Sequence, residues 1–157
     1  MNRFDQCLKV GQIWESQLES WMEIYFRDRM PNWAVLDTRD IHRDINGDKF
    51  PDYVIYEKST ERYCFLDAKK RNVYRHRGHQ TSFGFDRTFY HSYRNISDKH
   101  ATKVFIAFKD SEFDRENLYI LDLDCEPDFV WDYGRNGFGE PICYRWYVDK
   151  LHKFALR

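Results

Sequence analysis

The sequence lacks the features that mark membrane, secreted and disulfide-rich proteins. It contains no uncharged run long enough to cross a bilayer, and its first ten residues carry charges where a signal peptide requires an apolar segment. Its four cysteines are far apart and form no Cys-x-x-Cys pair, which suits a reducing compartment and provides no disulfide framework. These absences predict a soluble cytoplasmic protein that is not secreted and has no membrane partner.

A large excess of charge of either sign is also missing. The formal net charge is -1, so any interaction with nucleic acid must depend on how the charges are distributed. Five lysines and arginines and two histidines, with no acid, lie in residues 69–79, whereas residues 110–132 are rich in aspartate and glutamate. With 157 residues and 42% hydrophobic side chains, the chain is expected to fold as one domain over residues 1–157 with its own core.

The hydrophobic periodicity predicts a protein with both α-helices and β-strands. Apolar residues at near-helical spacing predict a long amphipathic helix over about residues 3–30, which Pro31 ends, and a second helix over about 86–96. Strands are predicted at residues 33–39, 51–57, 62–69, 103–108 and 118–124. The second and third of these strands form a hairpin around a polar segment, and the aromatic tail over residues 129–156 has no assigned structure.

The hairpin places two aspartates opposite each other. If its turn is centred between Ser59 and Thr60, paired residues have numbers that sum to 119, so Asp52 lies opposite Asp67. Opposed side chains of an antiparallel pair share one face, with Cβ atoms about 4.5 to 5.5 Å apart, and like charges there repel. Lys69 follows two residues later on the same face. A divalent cation would offset the remaining repulsion, and two carboxylates, a backbone carbonyl and waters form a hard oxygen site suited to Mg²⁺ or Mn²⁺.

A third carboxylate is available on the first helix. Glu15 lies beside the apolar stripe, and Glu19 lies one turn later on the same side, so either could reach over the hairpin. This set of residues supports phosphodiester hydrolysis. The cation lowers the pKa of a bound water and stabilises charge on the phosphorane, while the lysine positions the water or supports the developing anion. No side-chain nucleophile is required.

These residues together resemble the PD-(D/E)xK nuclease superfamily. The letters PD at residues 51–52 are followed, after fourteen residues, by DAK at residues 67–69, and a helix with a Gly-x-x-x-Glu sequence precedes them. The resemblance implies a restriction-endonuclease-like fold of the α/β (α+β) class. Such a fold has a mixed central β-sheet flanked by helices and an αβββαβ core.

The resemblance also implies a set of site residues. The corresponding metal ligands are Glu15, Asp52, Asp67 and the carbonyl of Ala68. Lys69 corresponds to the catalytic lysine, so Lys69 and the three carboxylates form the expected catalytic set, with Mg²⁺ or Mn²⁺ as cofactor. Glu15 is favoured over Glu19 because Gly11 fits the family pattern. A glycine inside a helix costs about 1 kcal/mol relative to alanine, which indicates close packing at that position.

The basic segment beside this site is the candidate DNA contact. Its proposed phosphate-contacting residues are Lys70, Arg71, Arg75 and Arg77. The sequence therefore predicts a metal-dependent nuclease that hydrolyses DNA phosphodiester bonds, and the resemblance favours an endonuclease. Two alternatives remain open: a non-catalytic DNA-binding or assembly module with the same fold, and an RNA endonuclease. The near-neutral net charge leaves room for a partner protein that supplies DNA affinity. The resemblance offers a homodimer as the alternative partner, because many members of the superfamily dimerise to cut both strands.

Overall fold

The computed structural model describes residues 3–70, 73–75, 80–110, 112–134 and 141–156. Within these ranges the chain forms two α-helices, α1 (Arg3–Arg29) and α2 (Arg87–His100). The strands are β1 (Trp33–Asp37), β2 (Tyr53–Glu57), β3 (Tyr63–Lys70), β4 (Tyr74–Arg75), β5 (Thr81–Asp86), β6 (Val104–Lys109), β7 (Asn117–Asp122), β8 (Phe129–Asp132), β9 (Ile142–Tyr147) and β10 (His152–Ala155). A short 3-10 helix at Val148–Lys150 connects β9 to β10.

The strands form two sheets. The larger has six strands in the order β1-β2-β3-β6-β7-β10, in which β3 and β6 are parallel and the other neighbours are antiparallel. The smaller has four antiparallel strands in the order β4-β5-β9-β8. The predicted fold class, a mixed central sheet flanked by helices, is confirmed. The expected αβββαβ order is also present as α1-β1-β2-β3-α2-β6, with β4 and β5 inserted before α2.

Helix α1 packs on one face of the six-stranded sheet. Its buried side chains, which follow the predicted apolar stripe, are Trp14, Leu18, Trp21 and Met22. The indole Nε1 of Trp21 donates a hydrogen bond to the carbonyl of Ala155 at 2.9 Å, which ties the helix to β10. Close packing at Gly11, expected from the sequence, is wrong: a Cβ built there meets no atom within 4 Å.

The second sheet and α2 cover the opposite face. Phe83 of β5 stacks on Phe108 of β6 with ring centroids 5.0 Å apart, and Phe85 stacks on Trp146 of β9 at 5.4 Å. Tyr93 of α2 is fully buried in the same cluster. The six-stranded sheet is therefore sandwiched, and α2 lies beside the end of β3 that carries the aspartate and lysine of the predicted motif.

The structure differs from the sequence prediction mainly around this second sheet. Phe85, which the predicted helical pattern includes, lies in β5, and α2 begins two residues later at Arg87. The aromatic tail left unassigned forms β8, β9 and β10. In the described ranges, neither helix has the length and apolarity needed to span a membrane.

Candidate active site

The hairpin has the predicted register. Tyr53 pairs with Leu66 and Ile55 pairs with Cys64, so the paired numbers sum to 119. One step further along this register, Asp52 is opposite Asp67. Because Leu66 packs with α1 and side chains alternate along a strand, Asp67 faces the α2 side of the sheet.

Backbone amides join the two aspartates to each other's strands. The N–H of Asp52 donates to Oδ1 of Asp67 at 3.2 Å, and the N–H of Ala68 donates to Oδ2 of Asp52 at 3.0 Å. Asp52 is 8% exposed and Asp67 is fully buried. Two carboxylates are thus held beside each other in an environment that disfavours their charge.

The electrostatics of the pair reflect this burial. The pKa of Asp52 is raised to about 7: burial is the largest cause, the negative charge of Asp67 adds to it, and the positive charge of Lys69 opposes both effects. The buried Oδ2 of Asp67 lies 2.6 Å from the Lys69 ammonium, but the angles are outside hydrogen-bond geometry. This oxygen consequently has an ion-pair partner and no hydrogen-bond donor among the described residues.

The ammonium of Lys69 is fixed by three neighbours. Besides Asp67, Nζ donates to the hydroxyl oxygen of Tyr93 at 2.9 Å and lies 4.6 Å from the ring centroid of Phe89. Lys69 is only 9% exposed, so its position is well defined by these contacts. No sequence pattern indicated that α2 supplies partners for this lysine, although the i, i+4 spacing of Phe89 and Tyr93 places them on one helix face.

Glu15 and Asp52 line the same cavity. This cavity has a volume of about 1200 Å³, and its wall also includes Ala68, Lys69 and Lys70. Glu19 lines a different cavity, between α1 and β1. Of the two helix carboxylates considered from the sequence, the structure brings only Glu15 to the cavity that contains the predicted motif.

The donor set suits a hard cation, although three carboxylates do not converge. Among the residues that the structure describes, no three His, Cys, Asp or Glu side chains form a group that could hold a metal ion. The two aspartates are the oxygen donors that Mg²⁺ and Mn²⁺ prefer, and the buried Asp67 oxygen lacks a hydrogen-bond donor. The carboxylate of Glu15 accepts a hydrogen bond from Nη1 of Arg39 at 3.1 Å instead.

Two of the four residues that were predicted to contact DNA lie in the ranges that the structure describes. Lys70 lines the cavity, and Arg75 is exposed on β4. Two further residues lie outside the described ranges, namely Arg71 and Arg77.

Two basic residues at the cavity were missed by sequence reasoning. Arg39 follows β1, and Lys49 precedes the PD pair with its Nζ 3.9 Å from Oδ1 of Asp52. Neither belongs to a spaced motif. Their position follows from the path of the loop between β1 and β2, which hydrophobic periodicity does not predict.

Comparisons with known proteins give a distant structural similarity. No protein-family model and no curated protein significantly matches this chain. Among solved structures, the chain is similar to Hjc, a Holliday junction resolvase from the archaeal hyperthermophile Archaeoglobus fulgidus. The sequence identity is 8% over 83% of this chain and 88% of the resolvase, with a TM-score of 0.48. A similarity at this level does not establish an activity.

Proposed function

We propose that the protein is a divalent-metal-dependent nuclease that hydrolyses DNA phosphodiester bonds and acts as an endonuclease. The observation that supports this function is the buried pair of Asp52 and Asp67, with the ammonium of Lys69 beside it at the wall of an open cavity. A structural role alone is a poor explanation, because burial of two adjacent carboxylates costs free energy and, among the described residues, only Asp67 has a close ion-pair partner, whereas the ammonium of Lys49 lies 3.9 Å from Asp52.

The residues of the site would have separate roles in this reaction. Asp52 and Asp67 would hold Mg²⁺ or Mn²⁺, with the carbonyl of Ala68 and the carboxylate of Glu15 as further ligands. When bound, the cation would lower the pKa of a coordinated water and stabilise negative charge on the phosphate. The ammonium of Lys69, fixed at its position, would donate hydrogen bonds to the attacking water or to the phosphate oxygens as their charge develops.

Positive charge on the basic segment that follows Lys69 in the sequence would bind the DNA backbone. Lys70 and Arg75, together with Arg71 and Arg77, are the proposed phosphate contacts. The net charge of -1 means that this attraction is local. A homodimer or a partner protein that extends the basic surface therefore forms part of the proposal.

The test compares wild type, Lys69→Ala and Lys69→Met on linear, circular and branched DNA and on matched RNA, with Mg²⁺, Mn²⁺ or EDTA. Lys69→Met keeps an unbranched side chain over Phe89 and controls for lost packing. Lys103→Ala is a matched control, because Lys103 pairs with Asp122 at the surface. We expect wild type and Lys103→Ala to cut DNA, circles included, only with metal. Both Lys69 variants should lose at least about a hundredfold in rate while DNA affinity changes little.

Each contrary result has a separate meaning. Equal cleavage by wild type and the Lys69 variants would place the activity elsewhere and reject the assignment. Cleavage of RNA but not DNA would select the RNA endonuclease. Metal-independent DNA binding without cleavage by any variant would select the non-catalytic module.

A further inference from the structure

Arg39 contacts three carboxylates at the edge of the cavity. Its Nη1 donates to Oε2 of Glu15 at 3.1 Å, and its Nε and Nη2 donate to the two oxygens of Asp37 at 3.0 and 2.6 Å. Nη2 also lies 2.5 Å from Oε1 of Glu19. The guanidinium therefore links α1 to the end of β1 and binds Glu15, which lines the same cavity as Asp52.

The three carboxylates are not held equally. Oε1 of Glu19 also accepts a hydrogen bond from the hydroxyl of Tyr53 at 2.9 Å. Asp37 also accepts a hydrogen bond from the backbone N–H of Arg39 at 3.0 Å. Among the described residues, Glu15 has Arg39 as its one hydrogen-bond and ion-pair partner, and its side chain is 26% exposed. Release of Glu15 consequently breaks one hydrogen bond and leaves Arg39 neutralised by the other two acids.

We propose that Arg39 is a positioning residue that holds Glu15 away from Asp52 and Asp67 in the metal-free protein and competes with the divalent cation for this carboxylate. The inference rests on the proposed function, because it requires a cation at the aspartate pair. A carboxylate that moves from a guanidinium to a cation stays paired throughout, so the exchange avoids an isolated charge at the cavity wall. Completion of the metal site is thereby coupled to the opening of one ion pair.

The experiment measures the Mn²⁺ dissociation constant by electron paramagnetic resonance, without DNA. The variants are Arg39→Gln, Glu15→Gln and the double variant, with Arg62→Gln as a charge-matched control. Arg62 is exposed and pairs with Glu57 beside the hairpin turn. We expect Arg39→Gln to bind Mn²⁺ up to about fivefold more tightly, which corresponds to about 1 kcal/mol, since one partly exposed ion pair no longer competes.

The double variant shows whether Arg39 competes with Mn²⁺ for Glu15 or whether its positive charge simply repels Mn²⁺. If Arg39 acts through Glu15, the double variant should bind Mn²⁺ like Glu15→Gln alone, and Arg62→Gln should bind like wild type. A gain that persists in the Glu15→Gln background would mean that the charge of Arg39 repels the cation directly, and the inference would fail. Weaker binding by Arg39→Gln would mean that Arg39 supports Glu15 in the metal-bound state, which also rejects the inference.

Two further outcomes distinguish this inference from the proposed function. If wild type binds Mn²⁺ and Arg39→Gln binds it equally, only the inference is rejected. If neither wild type nor any variant binds Mn²⁺, the metal-dependent function is rejected and the inference with it. Should Arg39→Gln fail to fold, Arg39→Lys keeps the charge but has three donors for the four contacts that Arg39 makes to the three acids. For Arg39→Lys we expect a smaller tightening of Mn²⁺ binding, which is again lost in the Glu15→Gln background.

Discussion

At the scale of single residues, the most informative contact of the site is the one between Lys69 and Tyr93. It joins β3 to α2 through a fully buried tyrosine and fixes the ammonium between an aspartate and an aromatic ring. A lysine side chain otherwise has many accessible rotamers, and a catalytic ammonium must be held to within a fraction of an ångström. We infer that Tyr93 positions Lys69 for the proposed chemistry.

The variant Tyr93→Phe tests this role because it keeps the ring and removes only the hydroxyl. We expect the rate of metal-dependent DNA cleavage to fall about tenfold while the free energy of unfolding falls by about 1.5 to 3 kcal/mol, the usual size of a hydrogen bond to a charged group. Tyr90→Phe, three residues before Tyr93 on the same helix, should cleave like wild type. A Tyr93→Phe protein that cleaves at the wild-type rate would show that the hydroxyl serves packing alone.

Residue-scale prediction succeeded where a local rule applied. The opposition of Asp52 and Asp67 follows from alternation along a strand and from the position of one turn, both of which depend on short stretches of sequence. The role of Arg39 depends on contacts between α1, β1 and the loop that follows, and no spacing rule relates those segments. The sequence therefore predicted the carboxylates of the candidate site. It did not predict the guanidinium of Arg39, which binds Glu15.

At the scale of elements, two glycines affect stability for different reasons. At one of them the helix propensity of glycine matters, and at the other the close packing of the backbone matters. Gly11 lies inside α1, where a Cβ would meet nothing within 4 Å. Gly84 lies in β5 opposite Arg145 of β9, and a Cβ there would lie 2.6 Å from the carbonyl oxygen of Tyr144 and 2.7 Å from Cγ of Arg145. The first glycine is a cost to its helix, whereas the second allows two strands to approach.

The two alanine substitutions should consequently act in opposite directions. Gly11→Ala should raise the free energy of unfolding by about 0.5 to 1 kcal/mol, because alanine restricts the unfolded chain and favours the helix. Gly84→Ala should lower it by about 2 kcal/mol or more, because the carbonyl oxygen is part of the backbone and cannot move aside cheaply. Urea denaturation measures both changes in the free energy of unfolding. Destabilisation by Gly11→Ala would show that α1 is packed more closely than its open surroundings indicate.

At the scale of the whole molecule, the first half of the fold was easier to predict than the second. Helix α1 and the β2-β3 hairpin are set by contacts that are local in sequence, so periodicity and turn residues identified them. The second sheet pairs β5 with β9, more than fifty residues apart, and Phe83 and Phe85 are buried because β9 and α2 cover them. A pattern such as TSFGFD is short, and its assignment as a strand depends on partners elsewhere in the chain.

The aspartate pair also links the site to the stability of the whole protein. The pKa of Asp52 is raised from 3.8 to about 7, so between these values the folded protein keeps a proton that the unfolded chain has lost. Folding therefore binds protons, and the contribution of Asp52 to stability is fully present below about pH 4 and is lost as the pH rises through about 7. A bound cation would reverse this dependence, because it favours the ionised carboxylate.

The variant Asp52→Asn removes the free-energy cost of a buried negative charge at this position, while its side-chain oxygen can still accept the hydrogen bond from the backbone N–H of Ala68. In EDTA at pH 8, we expect Asp52→Asn to be more stable than wild type by on the order of 1 to 3 kcal/mol, and the difference should shrink towards pH 4 because wild-type Asp52 is then protonated. Thermal unfolding across this pH range measures the difference, with Asp122→Asn, whose carboxylate is partly exposed at the surface, as a control for the loss of a carboxylate away from the site. Addition of Mn²⁺ should raise the melting temperature of wild type and leave that of Asp52→Asn nearly unchanged. If the stability of Asp52→Asn relative to wild type does not increase between pH 5 and pH 8 in EDTA, a buried, costly charge at this position is contradicted.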